Sequence, residues 1–341
     1  MLITIIVIIS IIVFFITSKI WIGAKKKWIM KMSDLFKRVL EFDAPDLSYT
    51  TFTIPKKDWT SRQIEAPNAQ LKKTQQTLLH LLSNNIILPW YVTGFRKKFS
   101  IKTNAKKHVG REVVINLDIK DFFTNVTTQK LRQRLEYLKV DNEIISRFEK
   151  LCFNNWHLPQ WAPTSPFLAN FIFVPIDEAI IKTAKKYDKN IIYSRYADNI
   201  TLSSNVKNIS NLIRIISEWI MPKFGYTINS KVNLSRKHTR QTVTWITVNE
   251  KISMPRHKYM LLRAQVHAYL TKWTWNTLEI AWRLAFLYLL DKKKYWKLQK
   301  YYKKKFWETQ ELSAVFRRNP KKVKLDIYKK WFINPRTWQK F

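Results

Sequence analysis

Apolar and polar residues alternate from Tyr49 to Pro67, YTTFTIPKKDWTSRQIEAP, on both sides of a KKDWTS turn. A period of two broken by a charged turn predicts a β-hairpin. After Asn68 the period lengthens: Leu71, Leu78, Leu79 and Leu82 fall at helical spacing, predicting a helix as far as Leu88. GFRKKFSIKTNAKKH (94–108) reads as a basic loop. VVINLDI, Val113 to Ile119, is short, β-branched and bounded by charge, which predicts a buried strand ending at Asp118. Ser165 to Tyr187 predicts a helix opening at Pro166. YSRYADNITLSS, Tyr193 to Ser204, predicts a second hairpin with Asp198 and Asn199 at its tip. A helix near Ile209 to Trp219 and strands around QTVTWITVN follow, and from Pro255 the pattern is helical and strongly basic.

Charge changes the picture most. Lys and Arg number 61 against 24 Asp and Glu, a formal +37. Such an excess repels itself in a compact chain unless a polyanion sits against it, with nucleic acid first and an anionic membrane surface second. At 341 residues and 46% apolar, the chain is large enough for two or three subdomains and excludes a disordered tail. The single cysteine, Cys152, excludes an intrachain disulfide and reads as a small core residue in a reducing compartment.

LITIIVIISIIVFFIT, Leu2 to Thr17, is almost wholly apolar, with Lys19 and Lys25 to Lys27 behind it. It is short of the roughly 20 residues of a membrane span, though Lys19 could snorkel and extend it to Ala24. One reading is a transmembrane anchor holding the rest of the chain, cytoplasmic, at the inner face of the membrane through residues 2–24. The other is a start placed too early, with Met30 or Met32 the true beginning.

Asp118 at a strand end and Asp198 at a hairpin tip could share one metal coordination shell. Either alone would most often be a solvated loop residue; the neighbouring strings lift the pair. NLDIKDFF, LPQWAPTSPFLAN and YADN, in this order, resemble the active-site motifs of reverse transcriptases. FTIPKKDWTSRQIEAP resembles their fingers strand pair, and GYTINSKVN the motif after the catalytic hairpin. NAKKH (Asn104 to His108) and RQTVTW (Arg240 to Trp245) resemble markers of the retron class. The resemblance implies an α+β right-hand polymerase: fingers over 30–110, a palm of antiparallel sheet and helices over 111–250, and a helical thumb over 251–341, preceded by the segment 1–29.

The resemblance also implies roles. Asp118 and Asp198 would ligate two Mg2+, with the Ile119 carbonyl as a backbone ligand, and Asn199 stands where the family has a second aspartate. Phe123 would exclude a 2′-hydroxyl, and Gln160 would line the nucleotide pocket. Lys57 and Arg62 would grip the triphosphate of a dNTP, and Lys231 would protonate the leaving pyrophosphate. The partners would be a template RNA and its cDNA product, with an effector protein encoded nearby and a role in antiviral defence. In the C-terminal block, lysines interleave with Tyr295, Tyr301 and Tyr302, suiting phosphates and stacked bases, with about half the rings turned inward. Two other readings stay open. One is another bacterial reverse transcriptase, of group II intron or abortive-infection type, the former disfavoured because nothing follows the thumb. The other is a catalytically weakened RNA-binding protein on the same fold, which Asn199 favours.

The chain has 4 glycines where average usage gives about 24, and 15 tryptophans. Trp59, Trp161 and Trp245 stand at positions where the resembled motifs have glycine, and Trp156 and Trp282 are weaker cases. One cause would cover all of them: UGA codons read as glycine in the source organism and translated here as tryptophan.

Overall fold

The computed structural model describes residues 34–305, apart from 44–45, 56–60, 231 and 273–276. Lys57, Trp59, Lys231, the apolar segment Leu2 to Thr17, both alternative starts and the chain after Lys305 lie outside the described residues. Among the described residues no helix is long and apolar enough to cross a membrane.

Two compact units share the chain. One takes residues up to 52, 63–88 and 121–173; the other takes 53–62, 89–120 and 174 onward. In the first, the helices Ala69–Asn85, Thr128–Tyr137 and Asn142–Cys152 each bury one apolar stripe. Leu71, Leu78 and Leu82 come from the first helix, Leu131 and Leu135 from the second, and Ile144, Ile145 and Phe148 from the third. Asn68 starts the first helix by accepting a hydrogen bond from the Leu71 N–H, satisfying a donor the helix itself cannot. Cys152 is a buried free thiol in this core, as its isolation in the sequence predicts. The alternation around KKDWTS gives β1 (Tyr49–Pro55) and β2 (Ser61–Pro67), a two-stranded sheet.

The second unit is built on a four-stranded sheet. β3 (Val113–Asp118) lies in its interior, with β5 (Asn199–Ser204) and then β4 (Ile192–Tyr196) on one side and β6 (Asn233–Arg236) on the other. All neighbours are antiparallel. Val113, Val114, Ile115 and Leu117 are buried, so the β-branched run is the centre of the core. The register is fixed by that burial, because a slip of one residue would turn every apolar side chain to the wrong face.

The basic stretch 94–108 is not all loop. It contains the helix Ile101–Lys106, started by a capping box in which Ser100 and Thr103 each bond the other's backbone N–H. Six residues are too few for a helical period to show. The helix predicted near Ile209 begins at Asn211–Arg214, widens into a π-helix over Ile215–Ile220 and ends at Met221–Lys223. The helix from Ser165 ends at Ala184, three residues before the predicted Tyr187. A short hairpin, β7 (Thr242–Val243) and β8 (Ile246–Thr247), follows as predicted. The helices Arg256–Lys272, Thr277–Leu290 and Lys292–Lys305 then share one apolar cluster with it, through Val243, Ile246, Leu262, Ile280, Leu284 and Leu298.

Candidate active site

Antiparallel pairing of β3 with β5 sets Asp118 directly opposite Asn199, and Asp198 occupies the β4–β5 turn beside them. Three hydrogen bonds close this end of the sheet. The Ile119 N–H donates to the Asp198 carbonyl at 2.9 Å, the Asn229 N–H to the Asp118 carbonyl at 2.7 Å, and the Lys120 N–H to the Thr227 carbonyl at 2.9 Å. The residues of NLDIK, YADN and GYTIN thus meet at one place, as their order along the chain implies.

Each carboxylate is engaged by an amide. Asn199 Nδ2 donates to Asp198 Oδ1 at 2.7 Å, and Asn229 Nδ2 donates to Asp118 Oδ2 at 2.6 Å. Burial, and then the neighbouring charge of Asp118, push the Asp198 carboxyl up to about 6, while the Asn199 amide and the charge of Arg62 pull it partly back. Two carboxylates crowded in a poorly hydrated place form a site that gains from a cation. Their hard oxygens suit a divalent ion of the Mg2+ class. Among the described residues no group of three or more His, Cys, Asp or Glu could hold a metal, so a cation here would complete its shell with water and phosphate oxygens. The donor set fits on those terms.

NAKKH has a structural task. His108 is fully buried, and its two ring nitrogens lie 2.8 Å from the Ser203 hydroxyl and 2.7 Å from that of Ser194, one on each strand of the β4–β5 hairpin. Burial first, then Lys107 and Arg111, lower its value to about 3, so the ring is neutral, with one nitrogen donating and one accepting. Asn104, also buried, takes a hydrogen bond from the Thr93 hydroxyl at 2.9 Å.

The remaining expected site residues are placed as follows. Phe123 and Gln160 belong to the first unit and are partly buried there. Phe123 packs edge-on against Phe122, and the Gln160 carbonyl accepts the Glu65 N–H at 3.1 Å. Lys57 and Lys231 lie outside the described residues. Asn229 lies inside GYTINSKVN but carries no charge to mark it in the sequence; its place beside Asp118 comes from the fold.

Two of the three tryptophans at glycine positions adopt glycine's backbone. Trp161 has φ 102° and Trp245 φ 66°. Thr244 and Trp245 both have positive φ between β7 and β8, the signature of a type I′ turn, in which the second central residue is characteristically glycine. Trp156 and Trp282 are not among the residues with positive φ.

The helix Lys292–Lys305 sorts its rings as its pattern predicts. Tyr295 and Tyr302 are buried, while Trp296 and Tyr301 are exposed among the lysines.

Comparison with known proteins accords with this geometry. Residues 54–248 match the family model "Reverse transcriptase (RNA-dependent DNA polymerase)". The chain is 32% identical over 238 residues to the retron Mx65 reverse transcriptase of Myxococcus xanthus, covering 64% of this chain and 55% of that one. It is 33% identical over 234 residues to the retron Ec86 reverse transcriptase of Escherichia coli, covering 67% and 72%. Among solved structures, a telomerase from Candida albicans in complex with a fragment of telomeric RNA is similar at 11% identity and a TM-score of 0.47, covering 82% of this chain and 59% of that one. With the two aspartates meeting at the end of an antiparallel sheet and more than half of the chain matched, this protein belongs to the reverse transcriptase family and, within it, to the retron type.

Proposed function

We propose that the chain copies a structured RNA into DNA from dNTPs, using two Mg2+ ions at Asp118 and Asp198 with the Ile119 carbonyl as a further ligand. The observation that carries this reading is the register of β3 on β5, which sets Asp118 opposite Asn199 and beside Asp198. Mg2+ would supply charge stabilisation on the phosphate oxygens and on the attacking hydroxyl. The chain's own contribution is to hold both carboxylates in place through Asn199, Asn229 and the closed sheet end. The electrostatic link of Arg62 to Asp198 supports its place at the triphosphate, where its fork suits phosphate. The roles of Phe123, Gln160, Lys57 and Lys231, and the division into fingers (30–110), palm (111–250) and thumb (251–341), rest on motif position. Extension of oligo(dT) on poly(rA) with dTTP and Mg2+ tests the reading. Labelled DNA is expected, and a folded protein that binds the duplex without extending it would be an RNA-binding relative instead.

Asn199 is the observation behind that second reading, and it yields a sharper prediction. Asn199→Asp restores a third carboxylate beside Asp118 and Asp198. It is expected to raise the extension rate by less than about tenfold and to lower the Mg2+ concentration for half-maximal rate, since a hard cation binds more tightly with each added carboxylate. An unchanged or slower rate would make asparagine native to this site.

The lysines of the helix Lys292–Lys305 supply the RNA face in this reading. Lys297 and Lys304 lie on the Tyr301 side at helical spacing. Changing both to Gln is expected to weaken single-stranded RNA binding at low salt and to flatten the slope of log K against log salt by about 1.4, or ~0.7 for each phosphate no longer neutralised. Fluorescence anisotropy with oligo(rA) over a salt series measures it, and an unchanged slope would place the RNA elsewhere.

A further inference from the structure

The turn that carries Asp198 is held from behind by a segment far away in sequence. Residues 91–94 run beside β4, with Val92 paired to Arg195 in a parallel bridge. The Arg195 N–H donates to the Tyr91 carbonyl at 2.9 Å, and the Thr93 N–H donates to the Arg195 carbonyl at 2.8 Å. The next residue, Gly94, lies against the turn itself. A Cβ placed on it would stand 2.4 Å from the Ala197 nitrogen, 3.1 Å from the Tyr196 carbonyl carbon and 3.2 Å from the Ala197 Cα. All three are backbone atoms, so no side-chain rotation could relieve the clash. Any residue with a Cβ must displace either its own strand or the turn.

A second grip comes from Arg195. Its side chain is fully buried with Asp177, with Nε and Nη2 each 2.8 Å from a carboxylate oxygen. Its third nitrogen, Nη1, donates to the Ala197 carbonyl at 3.1 Å. Ala197 has φ 57°, a left-handed conformation that an alanine holds only when its surroundings insist. A buried ion pair adds little net stability compared with apolar packing of the same volume, so stability alone gives weak reason for one here. Its geometry does give a reason: the guanidinium, locked by two bonds to Asp177, offers an Nη1 N–H to the turn.

We propose that Gly94 and the Arg195–Asp177 pair are positioning residues of the catalytic centre, a backbone shelf and a clamp that seat the Ala197–Asp198 turn against Asp118. This rests on the polymerase reading of the site and adds to it residues that touch neither substrate nor metal. A displacement of about 1 Å at a reacting centre is enough to lower a rate by about 100-fold.

The experiment compares Gly94→Ala with Gly110→Ala, a glycine at φ 75° whose added Cβ meets nothing nearer than 4.0 Å. Both changes strain the backbone, but only the first touches the turn. With poly(rA)·oligo(dT) and dTTP, Gly94→Ala is expected to lose about 100-fold in kcat with KM for dTTP within about threefold. Gly110→Ala is expected to lower Tm while keeping kcat. Mn2+ binding followed by electron paramagnetic resonance is expected to weaken in Gly94→Ala and not in Gly110→Ala. That comparison stands even if the parent makes no DNA, so failure of the polymerase reading and failure of the shelf give different results. Arg195→Lys keeps the charge facing Asp177 but loses the fork, and is expected to repeat the kcat loss should Gly94→Ala not fold. The proposal is overturned if Gly94→Ala or Arg195→Lys folds with kcat and Mn2+ affinity within about twofold of the parent, or if Gly94→Ala loses no more kcat than Gly110→Ala.

Discussion

Asparagine in place of Asp198 is expected to abolish DNA synthesis and, in the same protein, to raise the melting temperature when metal is absent. The loss should reach at least about 10³-fold, because the variant removes one of the two carboxylates that would carry metal-assisted phosphoryl transfer. The gain in stability follows from the charge state. Burial and Asp118 raise the Asp198 carboxyl to about 6 in the folded protein, against an ordinary value near ~3.9 in the unfolded chain. A carboxyl raised on folding binds its proton more tightly in the native state, so its ionisation opposes folding. The penalty is absent below pH ~4, grows as pH rises towards 6 and levels off above it. At pH 8 in EDTA, Asp198→Asn should therefore be more stable by about 1–3 kcal/mol, and near pH 4 the advantage should vanish. Added Mg2+ should raise the Tm of the parent by mass action and leave the variant's almost unchanged. Calorimetry at the two pH values, with and without Mg2+, decides it. A variant less stable than the parent at pH 8 in EDTA would mean that Asp198 does not carry the strain assigned to it.

The second large effect is a gain of stability on removing tryptophan. Left-handed backbone at a bulky L-residue costs about 1–3 kcal/mol, and Trp161 at φ 102° and Trp245 at φ 66° both adopt it. Against this stands modest packing: Trp161 is 40% exposed and meets the Phe52 ring edge-on at 5.5 Å, and Trp245 is 51% exposed. Trp161→Gly with Trp245→Gly is expected to stabilise the protein by about 2 kcal/mol, several degrees in Tm. Trp282, stacked on Phe286 within the helix Thr277–Leu290, is the contrast, since glycine there should destabilise. A double variant no more stable than the parent would remove the argument from backbone strain. The gene supplies an independent check. UGA at codons 59, 161 and 245 is the expected finding, and UGG there would sink a common origin for the three.

The strand and hairpin of the candidate site were legible because a β-branched run bounded by charge has few alternatives, with Asp118 at its end, and because Asp198 falls between the two apolar arms of the later hairpin. The type I′ turn at Thr244–Trp245 was legible in a negative sense, as a residue unsuited to the place the motif gave it. Gly94 and Arg195 were not. Gly94 matters only because its chain passes within touching distance of residue 197, a closeness that no local pattern encodes. Arg195 carried a faint signal, a charge inside the apolar run IIYSRYADN, as did Asp177 inside the apolar helix FIFVPIDEAII. A buried charge implies a partner, and each was the other's. The helix Ile101–Lys106 hid among lysines, its only mark being the spacing of Ser100 and Thr103.

The amide on each carboxylate of the candidate site bears on which ion the proposed metal site would prefer. With Asn229 bonded to one oxygen of Asp118 and Asn199 to one oxygen of Asp198, each group keeps one oxygen free of these amides, while a cation chelated through both oxygens would have to share one of them with an amide N–H. Ca2+ readily takes carboxylates in that two-toothed manner, whereas Mg2+ takes one oxygen from each and keeps several of its waters. In the polymerase reading, two neutral side chains would thereby favour the smaller, more firmly hydrated cation.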